Sequence, residues 1–206
     1  LLSLQLYSKF SIEVLNQHSI FAAEIKEAMY QSYLSLTHRT IKEPLFPPTK
    51  FMGSKQTLLP FMFKHIDRTK YETVLDAMSG SCCVAYEFKR RGKAVTSNDF
   101  LYFSYVIAKA VIENDEAKID DSTLDRLMKT RKDAPSFVRD HYSDLFFTYE
   151  DCLFLDSLWA NIEEIENDYQ RYLAIAAACR ACQKKRPRGI FTFAGKKSWD
   201  GRRDLK

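Results

Sequence analysis

A carboxylate, a glycine turn and a second carboxylate make the most chemically suggestive pattern in this sequence. Asp76-Ala-Met-Ser-Gly80-Ser81 is followed by Asp99, about twenty residues beyond the glycine. If each acid ends a strand of one parallel sheet, both lie at its carboxyl edge, where such sheets bind ligands. A turn at Gly80 would let a ligand approach the backbone, and a helix starting near Cys82 would aim its first amides there. Asp99 can accept hydrogen bonds from both hydroxyls of a ribose. These residues point to a nucleoside-containing cofactor. The Gly-Ser-Cys-Cys run lacks the repeated glycines that cradle a dinucleotide pyrophosphate, which weakens NAD or FAD and favours a ligand without phosphates. A tight strand–helix turn closed by a capping acid would use the same residues, and the pattern alone does not separate the two.

The elements that must position these residues can be read from periodicity. Thr73-Val74-Leu75, leading to Asp76, reads as a short buried strand, and Ala94 to Ser97 as a second one ending at Asn98-Asp99. Between them, Cys82 to Arg91 reads as a helix with Gly92 as its C-cap, and Leu101 to Glu113 as another. Strand, turn, helix, strand, acid, helix is the opening of a parallel α/β sheet. Tyr102, Phe103 and Tyr105 are expected as core contacts of a sheet-covering helix. Upstream, Phe21, Ile25, Met29, Tyr33 and Leu36 mark a helix within residues 11–37, and Pro44, Pro47 and Pro48 break the chain. Leu58, Leu59, Met62, Phe63 and Ile66 mark a further helix with Ser54 as its expected N-cap. From about residue 116 the strands stop. Asp120 to Lys132 reads as a short helix, and Thr148-Tyr149-Glu150-Asp151 as a capping box. That box opens a long helical region with Ile162, Ile165, Tyr169, Leu173, Ala176 and Ala177 on one stripe, ended by Pro187.

Composition narrows the class. The chain has 206 residues, 46% hydrophobic and 28% charged, enough to bury a core and unlike a disordered tail. Its longest apolar run, Leu173 to Cys179, is too short to span a bilayer. The sequence starts on Leu1 rather than Met, which reads as a trimmed start, and no signal segment is visible. Five cysteines without an extracellular framework suggest reduced thiols in the cytoplasm. Cys179 and Cys182 have metal-knuckle spacing, but their alanine-rich setting and the lack of a second ligand pair favour buried helical thiols over zinc. His18, His38, His65 and His141 read as surface or packing residues, and Asp120-Asp121 and Glu163-Glu164 as solvated helix faces. Charge is uneven. Lys184, Lys185, Arg186, Arg188, Lys196, Lys197, Arg202, Arg203 and Lys206 face only Asp200 and Asp204, so this end is strongly basic and the body mildly acidic. Such a segment can contact a phosphate backbone, although a solvated loop has the same composition.

Taken together, Phe51-Met-Gly-Ser-Lys55, Asp76-Ala-Met-Ser-Gly80-Ser81 and Ser97-Asn98-Asp99 resemble the opening motifs of adenine-specific DNA methyltransferases. The group they are most similar to is the Dam-like enzymes of bacterial restriction–modification systems. The resemblance runs over residues 46–206. It includes the aromatic-rich Asn98-Asp99-Phe100-Leu-Tyr-Phe-Ser-Tyr-Val helix, the Phe147-Thr-Tyr-Glu-Asp stretch and the Lys-Lys-Arg-Pro-Arg-Gly-Ile-Phe stretch. It implies S-adenosyl-L-methionine as cofactor and transfer of its methyl group to adenine N6 in double-stranded DNA. By motif position, Asp99 would hold the ribose hydroxyls and Phe100 would pack on the adenine ring. Asp76 and the Gly80-Ser81 backbone would line the methionine part. Phe51, Gly53 and Lys55 would close that end, with Lys55 near the carboxylate. Cys82 stands where the family usually has a second glycine and is expected to crowd the cofactor.

The resemblance also marks a gap. An Asp/Asn-Pro-Pro-Tyr/Phe segment holds the flipped adenine in this group, and the sequence contains only Pro47-Pro48, flanked by Phe46 and Thr49. The expectation is therefore a partial Rossmann-like methyltransferase fold with helical extensions: a helical segment at 1–45, a cofactor-binding half at 46–115, and a helical insertion with the basic start of the target-recognition region at 116–206. Such a chain would be a fragment, a truncated reading frame or one subunit of a split enzyme, inactive alone. No catalytic or metal-ligating residue is assigned. The eight residues from Lys184 to Arg203 named above are the DNA-contact candidates. Expected partners are DNA, the missing half or a companion restriction endonuclease, with no membrane. The competing reading is a degenerate methyltransferase-fold module that binds DNA or a partner chain without catalysis.

Overall fold

The computed structural model describes residues 51–184. The expected helix within 11–37 lies outside the described residues, as do Lys185, Arg186, Arg188, Lys196, Lys197, Arg202 and Arg203. The described part begins with a single 3-10 turn (Gln56–Leu58) that leads into α1 (Leu59–Ile66), with Pro60 in the first turn where its missing N–H costs nothing. Ser54 does not cap this helix, contrary to expectation; its hydroxyl is turned toward Ser81. Strand β1 (Thr73–Asp76), helix α2 (Cys83–Arg90) and strand β2 (Ala94–Ser97) follow as read from the sequence. The two strands pair in parallel, with Thr73 opposite Ala94 and Asp76 opposite Ser97. Gly92, at φ 76°, lets Lys93 N–H donate back to the Phe88 carbonyl at 3.1 Å and closes α2 as predicted. Helix α1 rests on α2 through Phe63, whose ring lies 4.8 Å from that of Phe88 and beneath the Arg91 guanidinium at 4.2 Å.

Helix α3 (Tyr102–Ile107) runs directly into a π-helical turn (Ala108–Glu113). The end of that turn is held by Lys89 of α2, which donates to the carbonyls of Val111, Ile112 and Asn114 at 3.2, 2.7 and 2.7 Å. The expected packing of Tyr102 and Tyr105 is overturned. They are 67% and 43% exposed, because α3 turns Ser104 and Ile107, three residues apart, toward the interior instead. Only Phe103 of the three is partly covered.

The remaining elements are helical. Helix α4 (Asp121–Leu127) is shorter than predicted and starts at Asp120, whose carboxylate accepts from Thr123 N–H at 2.7 Å. Helix α5 (Phe137–Tyr142) was not expected. The long region predicted from Thr148 is two helices, α6 (Tyr149–Glu163) and α7 (Asp168–Lys184). The capping box at Thr148 and Asp151 is present. The break has a local cause: Asn167 Oδ1 accepts from Gln170 N–H at 3.0 Å and restarts the helix.

Helix α6 carries polar residues on its buried side because they anchor the loops around it. Asp156 accepts from Val138 N–H at 2.7 Å and Arg139 Nε at 2.9 Å. Ser157 Oγ accepts from Arg131 N–H at 3.0 Å. Asn161 Nδ2 donates to the carbonyls of Leu127 and Lys129 at 3.1 and 2.8 Å. Removing that amide leaves two buried carbonyls to find other partners, so Asn161→Ala should cost about 1–3 kcal/mol, read as a lower thermal midpoint.

Two apolar clusters hold these elements. The larger joins Val106, Leu127, Cys152, Leu158, Ile162, Ala174 and Ala177, with Cys179 and Cys182 packed against it. The smaller joins Cys82, Cys83, Ala85, Tyr86, Ile107 and Ile112 beneath the sheet. No helix among the described residues is long and apolar enough to cross a membrane.

Candidate cofactor site

The carboxyl ends of β1 and β2 are stitched together by the residues that follow them. Asn98 N–H donates to the Asp76 carbonyl and Ser79 N–H to the Asn98 carbonyl, each at 2.9 Å. Asn98 Nδ2 adds a bond to the Ala77 carbonyl at 3.0 Å. Asp99 completes the set. Its Oδ2 accepts from Gly80 N–H at 2.7 Å and its Oδ1 from Leu101 N–H at 2.9 Å. These two N–H groups, Leu101 first, hold its carboxyl below the usual carboxylate range. Each oxygen keeps a further lone pair free.

Asp76 has the opposite character. Burial raises its pKa, helped by the nearby Asp99 charge and opposed by the backbone N–H groups of Ala85 and Met78. It sits below the turn, at the start of α2.

The Phe51–Lys55 segment meets the same turn from the other side. The Phe51 ring stacks on Phe103, with centroids 6.1 Å apart and planes 6° from parallel. It also lies over Gly80, at φ 50°, where an added Cβ would come within 3.0 Å of Phe51 Cε1. The space freed by this glycine is therefore taken by a side chain of the protein, whereas the sequence suggested a ligand. Ser81 is buried, and its Oγ meets Ser54 Oγ at 3.2 Å. Gly53, at φ 78°, forms an open turn with nothing near it. Lys55 turns back and donates to the Gly53 carbonyl at 2.9 Å.

Phe51, Ser81, Gly80 and Asp99 are thus brought together, with Asp76 beneath them. Lys55 and Phe100 are not engaged, and the Phe100 ring is fully exposed next to Asp99. Lys184 lies at the far end of α7, half-buried. Sequence reasoning missed Ser54 as a cross-link and Asn98 as a strap. The Asn98 signal was its place directly after a strand, where a side-chain amide can bridge two loop ends. The Cys82 thiol, expected to crowd the site, faces the other way. Its residue is fully buried at φ 61°, Sγ lies 3.6 Å from the Ser104 carbonyl, and burial pushes its pKa up to about 12.

The chemistry of this donor set fits a ligand with neighbouring hydroxyls and a flat ring. Asp99 offers the spare acceptors and Phe100 the uncovered face. Ser79 Oγ and Ser97 Oγ are buried at the same edge without a hydrogen-bond partner among the described residues.

The family model for the D12 class of N6 adenine-specific DNA methyltransferases matches residues 51–191. The chain belongs to that family. Among curated relatives, the D12 chain is 31% identical over 166 residues to the type II methyltransferase M2.HphI of Haemophilus parahaemolyticus, covering 81% of this chain and 48% of that protein. It is 46% identical over 68 residues to the modification methylase StsI of Streptococcus sanguinis, covering 32% of this chain and 10% of the relative. A match to the modification methylase LlaI of Lactococcus lactis subsp. lactis is 31% identical over 132 residues, or 56% of this chain and 21% of the relative. The D12 chain therefore spans about half the length of M2.HphI and less of the other two. No solved structure matches it.

Proposed function

We propose that this chain is the cofactor-binding portion of a site-specific DNA adenine methyltransferase, built on a partial Rossmann-like fold and using S-adenosyl-L-methionine. The observation that carries this is the joining of the glycine turn to the acid ending β2, through Gly80 N–H and Asp99 Oδ2. When bound, the cofactor supplies an electrophilic methyl group on a sulfonium. The chain's own residues bind and orient it. Asp99 would take the ribose hydroxyls on its spare lone pairs, Phe100 would cover the adenine ring, and the Phe51 ring with the Gly80-Ser81 backbone would border the methionine end. Gly53 and Lys55 would belong to that border once Lys55 leaves the Gly53 carbonyl. Asp76 lies near enough to the turn to favour a positive charge there. Residues 46–115 form the binding half in this reading. Residues 116–206 form the helical and basic start of target recognition, with Lys184 to Arg203 on double-stranded DNA in the cytoplasm.

The missing Pro-Pro segment limits what these residues do alone. Incubated with labelled S-adenosylmethionine and adenine-containing duplex, the isolated chain should incorporate no label above background. It should still bind the cofactor in a calorimetric titration. Absence of cofactor heat would favour the non-catalytic module.

The inward-facing thiol yields a second test. Cys82→Gly relieves a left-handed backbone strain of about 1 kcal/mol and removes a small packed group of similar worth. Thermal stability and cofactor affinity should both stay close to those of the parent. A large gain in affinity would mean that the thiol does crowd the ligand.

A further inference from the structure

The two-stranded sheet is finished on one side only. Its covered face carries Val74, Asp76, Val95 and Ser97, all half-buried, with Val95 packed on the smaller cluster beneath. The opposite face presents Thr73, Leu75, Ala94 and Thr96, all exposed, with Leu75 beside Thr96 and 64% accessible. Parallel sheets are normally covered on both faces, because their crossovers lay helices there. The outer edge of β1 also presents main-chain N–H and C=O groups that parallel pairing with β2 does not use. Among the described residues no third strand takes them.

We propose that this face and the outer edge of β1 dock the part of the methyltransferase domain that the chain does not contain, which adds a parallel strand beside β1 and lays a helix over Leu75. The inference rests on the function proposed above and names the partner and its place. Handedness selects the edge. The crossover from β1 through α2 to β2 covers one face, and a right-handed crossover continuing past β2 would place its helix on that same face. Covering the Leu75 face requires the strand order to advance the other way, which brings the new strand to β1. There it arrives beside the Gly80 turn, at the reversal point where open α/β sheets bind ligands. Side-chain chemistry selects the occupant. The face carries two threonines, an alanine and a leucine and no charge, which suits an apolar helix rather than a phosphate backbone. Length agrees, since roughly half of M2.HphI has no counterpart here.

The test mixes the full 206-residue chain with the half of M2.HphI that it does not match. Sedimentation should show a complex, and hydrogen exchange should show new protection of the Thr73 and Leu75 amides. Leu75→Arg and Thr96→Arg each place a charge on the face without disturbing buried residues. Each should weaken the complex by about tenfold or more, whereas Phe137→Arg, on exposed α5, should not. Absence of a complex, or one indifferent to both arginines, overturns the proposal. So does strong protection of Leu75 in the chain alone, which would assign the face to residues 1–50, and so does self-association that the arginines abolish. A complex that forms as expected but transfers no methyl group supports the docking surface and counts against the enzymatic reading alone.

Discussion

Asp99→Ala should abolish measurable binding of S-adenosylmethionine and also loosen the turn that Asp99 holds. The ligand effect follows from charge-assisted hydrogen bonds to two hydroxyls. At about 1.5–3 kcal/mol each, their loss lowers affinity by about a hundredfold or more. The structural effect follows from the bonds already present, since both carboxylate oxygens accept from backbone N–H groups. Asp99→Asn separates size from charge. An amide offers one acceptor oxygen, so its NH2 must face either Gly80 N–H or Leu101 N–H, donor against donor. Asparagine should therefore also bind poorly and melt earlier. Calorimetric titration reads the first effect, and thermal unfolding without ligand reads the second. Undiminished affinity in the alanine variant would remove Asp99 from the site.

The pH dependence of binding separates the two acids. Asp99 has a depressed folded pKa. Its stabilisation is present above the unfolded value, about 3.9, and is lost as pH falls through the lower folded value. Asp76 has a raised folded pKa, so the cost of its buried charge is present above that value and is relieved as pH falls through it. A cationic ligand near the turn favours the charged form of Asp76. Cofactor affinity should then start to fall at a pH above that of an ordinary aspartate, before Asp99 protonates. Titrations at stepped pH test this, and Asp76→Asn should flatten the early part of the fall.

The second large effect is expected at Gly80. An alanine there must adopt φ 50° and bring a methyl group to 3.0 Å from the Phe51 ring. The left-handed backbone costs about 1 kcal/mol, and the ring must leave its stack on Phe103. Gly80→Ala should lower stability by about 1–2 kcal/mol and weaken cofactor binding by more than that stability loss alone would explain. The double variant Gly80→Ala with Phe51→Ala removes the contact and leaves only the backbone strain. A cycle of the four proteins should therefore show coupling, and strict additivity would mean that the ring does not rest on the glycine in solution.

The strands and the turn between them were legible because they rest on local signals. Alternating short runs, a glycine after α2 and acids at strand ends were enough to place Thr73–Asp76, Ala94–Ser97 and Gly92. The capping box at Thr148 was equally local. What failed depended on tertiary direction. Nothing in the spacing of Tyr102 and Tyr105 says which side of α3 meets the sheet. Nothing in Cys82 says that a left-handed residue would turn its thiol away from the turn it follows. The polar residues of α6 interrupt its apolar stripe because their partners lie in loops 17 to 34 residues away. Such pairings have no period to read. At the site, the acids and the glycine were found, but the tenant of the glycine was misjudged, because an aromatic ring 29 positions earlier in the sequence fills the gap that a ligand was expected to use.

The π-helical turn and α3 carry a consequence for how the molecule comes apart. Val106 belongs to the larger apolar cluster and its neighbour Ile107 to the smaller one, so a single helix is shared by both. Lys89 fastens the far end of that helix to α2 through three carbonyls. Sheet and helical region therefore have no seam between them along which one could melt first. They form one cooperative unit, and residues 51–115 cut free would expose Val106 and lose a helix partner rather than persist as a small domain. By the same coupling, order imposed at Asp99 is felt at α7, on the side from which the basic end of the chain departs.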